Sequence, residues 1–216
     1  MTKNGRYDTS GSMQNQYEPG STGAVLKNLL GIKSVKEMEQ VETLELERVT
    51  NEAIDLYDRD YRFAVSDIYK LHRRWLGTIY DWAGRERVVM VSKGGFPFAA
   101  PAHISNLMNA FEKQELVRFT PCHRVSHEKI AEALATVHVE LMLIHPFREG
   151  NGRLGRLLAV LMALQADLPP LDFTVIDEER KYDYIKGVQA GIERNYQPMT
   201  QVFNEVITRT LELYEV

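Results

Sequence analysis

His145-Pro146-Phe147-Arg148-Glu149-Gly150-Asn151-Gly152-Arg153-Leu154-Gly155-Arg156 is the stretch that decides how this chain is read. Before it, Ile130, Leu134, Val137, Leu141 and Ile144 recur on one helical face. Pro146 cannot continue the hydrogen-bond ladder, so this helix delivers His145 into a loop that Phe147 can anchor in the core. Gly150-Asn151-Gly152 frees the backbone to turn several N–H groups into one concavity, and a new helix starts at about Arg153. A glycine-rich turn entering a helix N-terminus is an anion cradle. Arg153 and Arg156 flank it with guanidinium groups that suit phosphate oxygens. Glu149 is a hard oxygen ligand of the kind that holds Mg²⁺ against phosphates. His145 can take a proton near neutral pH. A turn alone would account for Gly-Asn-Gly, and a lone histidine is more often a capping or core residue. A purely structural loop has no use for two arginines and a carboxylate around a glycine nest. The combination reads as phosphate-ester chemistry on a nucleotide.

Working outward, the spacing predicts helices over about 34–56, 65–79, 101–114, 126–143, 153–165, 178–192 and 200–213, with Ser34 as an N-cap and Pro169-Pro170 as a break. Ala24 to Leu30 reads as a short helical piece ended by Gly31. Arg87 to Val91 is the one convincing strand. Lys93-Gly94-Gly95 supplies a turn, and Phe96-Pro97-Phe98 returns as the second limb of a hairpin, confined to an edge by Pro97. The expected fold is all-α with one small β-hairpin beside the loop at 145–156. Residues 1–16, rich in Gly, Ser and amides, read as a flexible arm, and 17–216 as a single domain.

The chain has 216 residues and a formal charge of −4, which argues against general binding of nucleic acid. No apolar run approaches the ~20 residues that span a bilayer, and the polar N-terminus is no Sec signal. The lone Cys122 fits a reducing compartment, so a cytoplasmic location is expected, with secretion as an effector by a non-Sec route left open. Cys122, His123 and His127 lack a second ligand cluster and do not read as a zinc site.

The motif from His145 to Arg156 matches, at every defined position, the signature H-P-F-x-[D/E]-G-N-G-R-x-x-R of the Fic (filamentation induced by cAMP) family, which this chain resembles over roughly residues 17–205. Tyr17-Glu-Pro-Gly20-Ser-Thr, Leu29-Leu-Gly31-Ile and Asp81-Trp-Ala-Gly84 are similar to the corresponding segments of bacterial members. The resemblance implies a protein adenylyltransferase, moving AMP from ATP to a Ser, Thr or Tyr hydroxyl of a target protein. It implies His145 as general base, Glu149 as the Mg²⁺ ligand, and Gly150, Asn151 and Gly152 as the anion hole. Arg153 and Arg156 would hold the distal phosphates, Arg153 at the γ-phosphate. The hairpin at about 88–98, with Lys93, Gly94, Gly95 and Phe96 at its tip, would be a flap that docks the target by strand addition. Family members that phosphorylate their targets carry Ala at the first glycine. Gly150 and Gly152 therefore favour AMP transfer over phosphate transfer, with UMP or GMP still open.

The alternative is a nucleotide-holding regulatory module without transfer; a toxin silenced by a small antitoxin is compatible with the adenylyltransferase reading. Family members are commonly restrained by a helix carrying [S/T]-x-x-x-E-[G/N]. Thr43 to Glu47 and Thr208 to Glu212 fit the spacing, but neither is followed by Gly or Asn. The reading taken is that neither inhibits, with Glu212 the candidate if one does. Oligomeric state is not legible.

Overall fold

The computed structural model describes residues 12–178 and 180–214. Residues 1–11 of the expected arm lie outside them. The helix that the periodicity places before the signature is α5, Ile130–Ile144, and it is the axis of the molecule. Ala133, Leu134, Ala135, Val137, Val139 and Leu141 are all buried, so it is apolar nearly all round, as a core helix must be. The helix that begins inside the signature, α6, Asn151–Gln165, starts two residues before the expected Arg153, packs against α5 and is buried almost as fully.

On the α6 side lie α1, Val35–Leu56, and α2, Val65–Leu76. Ser34 caps α1 by accepting the Glu37 N–H at 3.4 Å, as its position predicts. α3, Ile104–Phe111, runs through a π turn at Glu112–Leu116 into α4, Val117–Phe119, and braces α5. The opposite flank is closed by α7, Thr174–Glu178, α8, Lys181–Ala190, and α9, Gln197–Leu213.

The all-α class with one hairpin is what the structure has. Its ladder pairs β1, Ser92–Lys93, with β2, Phe96–Pro97, antiparallel. Lys93 faces Phe96 across a two-residue turn in which Gly94 and Gly95 have φ of +58° and +80°. Two consecutive positive φ values define the tight hairpin turn that glycine makes without strain.

Three expectations change. The strand expected over Arg87–Val91 meets the other limb only at its end, where the Val91 carbonyl accepts the Phe98 N–H at 3.2 Å; the Arg87 N–H donates to the Pro146 carbonyl, and the Val88 N–H to the Gln14 side chain. The helix expected over Ala24–Leu30 is instead a loop, in which Tyr17 bridges Leu26 and the turn runs through Thr22 and Gly23 at positive φ. Asn28 then accepts the Leu30 and Ile32 N–H groups, the kind of side-chain competition that displaces helix. Residues 12–16, assigned to the arm, form a short 3-10 turn whose Gln14 is buried against the hairpin root.

Candidate active site

α5 ends at Ile144, and His145 caps it in the left-handed region at φ +52°. That conformation is uncommon for a non-glycine residue and turns the chain sharply into the loop. The His145 ring stacks on Phe98 with centroids 3.7 Å apart, and Phe96 lies edge-on to Phe98. His145 Nδ1 is 3.3 Å from the Met142 carbonyl, which can only accept, so Nδ1 carries the hydrogen and Nε2 keeps its lone pair. Burial, the main cause, with the nearby charges of Arg87 and Lys93, pushes this imidazole down to about 4. At neutral pH it is therefore an uncharged base with a set tautomer.

The turn after it is closed locally. Asn151 accepts the Phe147 N–H at 2.9 Å and donates to the Phe147 carbonyl at 2.8 Å. The Asn151 side chain, buried, is thus spent on loop closure; what it can offer an anion is its backbone N–H. The first helical bond of α6 runs from Leu154 N–H to the Gly150 carbonyl. Helix geometry leaves the N–H groups of Asn151, Gly152 and Arg153 without intrahelical acceptors. Gly150 has φ +84°, and a Cβ there would lie 2.7 Å from Trp75, whereas a Cβ on Gly152 would meet nothing within 4 Å. The first glycine is required by conformation and packing; the second leaves open space at the helix N-terminus. The Gly150 N–H is taken by the Glu149 carboxylate at 2.9 Å, so an anion already sits on this nest, supplied by the chain.

Sequence reasoning missed four residues here. His72 is fully buried and held neutral near pKa 4 by burial. Its Nδ1 accepts the Gly84 N–H at 2.8 Å, so Nε2–H donates to the Glu149 carbonyl at 3.0 Å, while the ring stacks on Phe147. A trans peptide points its C=O and N–H in opposite directions, so anchoring the Glu149 carbonyl on His72 aims the Gly150 N–H away from it, into the nest. Arg87, also buried, reaches the carbonyls of His145, Ile144, Val89 and Ala99. Gln14 receives the Val88 N–H, donates to the Glu86 carbonyl, and through its own carbonyl accepts Arg148 Nε.

The fourth is Glu42 on α1. It is buried, accepts the Tyr80 hydroxyl at 2.8 Å, and lies 2.7 Å from Arg153, whose guanidinium rests on the Trp75 ring. Glu149 is 3.7 Å from the same guanidinium. A pocket of about 340 Å³ opens here, lined by Glu42, Tyr80, Glu149 and Arg153 with Val35 and Met38 of α1. Met38 stands where the inhibitory pattern needs Ser or Thr, so spacing could not find Glu42; Glu47, which it did find, is exposed. Glu212 is exposed at the end of α9, 3.9 Å from Arg209. Arg156 lies over the Phe173 ring. At the hairpin tip Lys93, Gly94 and Gly95 are exposed and Phe96 is half-buried. Among the described residues no helix is long and apolar enough to cross a membrane.

Several known proteins are similar to this chain. Residues 62–163 match the Fic/DOC family model. The chain is 28% identical over 215 residues to a protein adenylyltransferase Fic of Aedes aegypti, covering 96% of this chain and 40% of that protein. It is 31% identical over 129 residues to a probable protein adenylyltransferase of Sinorhizobium fredii, covering 60% and 65%. The chain thus spans less than half the length of the insect relative. Among solved structures, the Bartonella tribocorum effector BepC with bound AMPPNP superposes with a TM-score of 0.69 at 23% identity, covering 90% of this chain and 97% of that one. A Bartonella quintana Fic domain with bound ADP gives 0.71 at 24%, covering 89% and 94%.

Proposed function

We propose, from the premise that this chain belongs to the Fic/DOC family, that it is a protein adenylyltransferase domain transferring AMP from ATP to a hydroxyl side chain of a target protein. The observation that carries the reading is the juxtaposition of a neutral, tautomer-fixed His145 with the N–H nest that opens α6. The relatives named adenylyltransferase support it.

His145 Nε2 takes the proton of a target Ser, Thr or Tyr hydroxyl. The oxygen attacks the α-phosphorus, the bond to the β-bridging oxygen breaks, pyrophosphate leaves, and AMP remains on the target as a phosphodiester. The N–H groups of Asn151 and Gly152 receive the phosphate oxygens, helped by the helix N-terminus. Arg153 turns from Glu42 to the distal phosphates, with Arg156 beside it. The Glu149 carboxylate, about half exposed and already facing the nest, fits a Mg²⁺ held jointly with those phosphates. That ion would offset charge building on the leaving pyrophosphate. Target backbone docks along the hairpin tip, Lys93 to Phe96.

The test uses the purified chain and ATP labelled at either the α or the γ position. Label from the α position alone should become covalently attached to the chain's own hydroxyls or to a lysate protein. His145→Ala should slow this by ~10²–10⁴-fold while AMPPNP still binds. Incorporation of γ label would make it a kinase. Nucleotide binding with no incorporation would make it the nucleotide-holding module.

A further inference from the structure

We infer that Arg87 is a positioning residue of this site: one buried guanidinium holds the His145 backbone in its left-handed turn and ties both legs of the hairpin to it. The inference rests on the reading of His145 as the base.

Arg87 is 1% exposed, and no carboxylate among the described residues pairs with it. Its charge is met by carbonyl oxygens alone. Nε donates to the His145 carbonyl at 2.7 Å, Nη1 to Val89 at 2.8 Å, and Nη2 to Ala99 at 2.5 Å and Ile144 at 3.3 Å. Ile144 and His145 lie at the C-terminus of α5, where helix geometry orphans the last carbonyls and the dipole favours a cation. Arg87 therefore completes the end of α5 as no apolar side chain could.

Position matters as much as charge. Val89 precedes β1 and Ala99 follows β2, so the guanidinium spans the base of the hairpin. The residue before Ala99 is Phe98, on whose ring His145 stacks. A left-handed histidine persists only where its surroundings over-determine it, and Arg87 supplies the backbone half of that restraint. Releasing it lets His145 Nε2 drift relative to the hairpin along which the target would lie. The nest is untouched, because Asn151 and His72 hold it from the other side. A misplacement of about 1 Å is enough to cost about a hundredfold in rate.

The experiment compares wild type, Arg87→Met and Arg87→Lys. Each is checked for folding by circular dichroism and for AMPPNP binding by calorimetry. Self-labelling is then measured at saturating α-labelled ATP, and His145 is titrated through its ¹⁵N-imidazole signals. The charged groups acting on that ring are Arg87 and Lys93. Arg87→Met should fold, bind AMPPNP within about threefold of wild type, and label about a hundredfold more slowly. Its His145 should titrate at higher pH than in wild type. Arg87→Lys, keeping the charge but not the fork, should keep the titration low and recover part of the rate. A folded Arg87→Met that labels within threefold of wild type overturns the inference, as does one whose His145 titration is unmoved or whose AMPPNP binding falls in step with labelling. If Arg87→Met does not fold, Arg87→Lys decides: about tenfold slower labelling with normal AMPPNP binding supports the role, and an unchanged rate overturns it. If wild type labels nothing, adenylyl transfer fails as the function, while the His145 signals in the variants still decide whether Arg87 sets that ring.

Discussion

The two halves of the site are held by different kinds of contact. On the α6 side, most of the bonds that shape the nest join near neighbours: Phe147 with Asn151 both ways, and Glu149 with Gly150, while one tie, from His72 to the Glu149 carbonyl, spans 77 residues. On the hairpin side, the bonds cross long stretches of chain: Arg87 to His145 over 58 residues, Gln14 to Val88 over 74, and Arg148 to Gln14 over 134. A local turn reforms whenever its few residues are right. A long-range tie exists only when helices and loops remote in sequence have already packed. The nest is therefore mainly a local turn, braced from behind by His72, whereas the base stands at a junction that depends on the whole fold.

The largest test of this contrast is acid. His72, His138 and His145 are each pushed down to about 4 by burial, one behind the nest, one inside the core, one at the hairpin. Unfolded, they would titrate near 6.5 and so bind protons first as pH falls. Stability should be full above about pH 6.5 and fall toward pH 4, with a slope approaching ~4 kcal/mol per pH unit if three protons are taken up on unfolding. Urea unfolding at half-unit steps of pH reads the slope; a flat profile there would mean that these rings are not buried neutral.

Next is Asn151→Ala, which leaves two buried Phe147 backbone groups without partners. A loss of roughly 2–4 kcal/mol in urea unfolding is expected, together with weaker AMPPNP binding. A variant stable within 0.5 kcal/mol would show that the turn is not closed by this side chain.

Glu42→Gln acts across the boundary between the halves. It keeps the shape and the Tyr80 contact but removes the charge that occupies Arg153. ATP should bind about tenfold more tightly, a gain of ~1.4 kcal/mol, with AMP little changed because it lacks the distal phosphates. Weaker ATP binding would instead make Glu42 a support that orients Arg153 for phosphate.

The smallest effect is expected from Gln14→Ala. It uncaps Val88 and Glu86 at the hairpin root and should cost about 1 kcal/mol, with AMPPNP affinity unchanged. An equal loss of nucleotide binding would show that the two halves are not separable.

From sequence alone, the helical class, the tight glycine turn of the hairpin, the N-cap at Ser34 and a loop from His145 to Gly150 between two helices were legible. Each is a local matter: apolar residues at helical spacing, a proline that stops a ladder, glycines that permit positive φ, and a cap three residues from its partner. Tertiary structure alone decided the rest. It turned the run at 87–91 from an expected strand into an anchor, because the Arg87 and Val88 N–H groups bond to Pro146 and Gln14 instead of to a neighbouring strand. It drew residues 12–16 onto the hairpin root, since one buried amide there satisfies two backbone groups at once. It chose Glu42 over Glu47 as the carboxylate facing Arg153, a choice made by which face of α1 meets α6. Such choices depend on the angle at which remote segments meet, and that angle is a property of the packed core, which no spacing within a segment records.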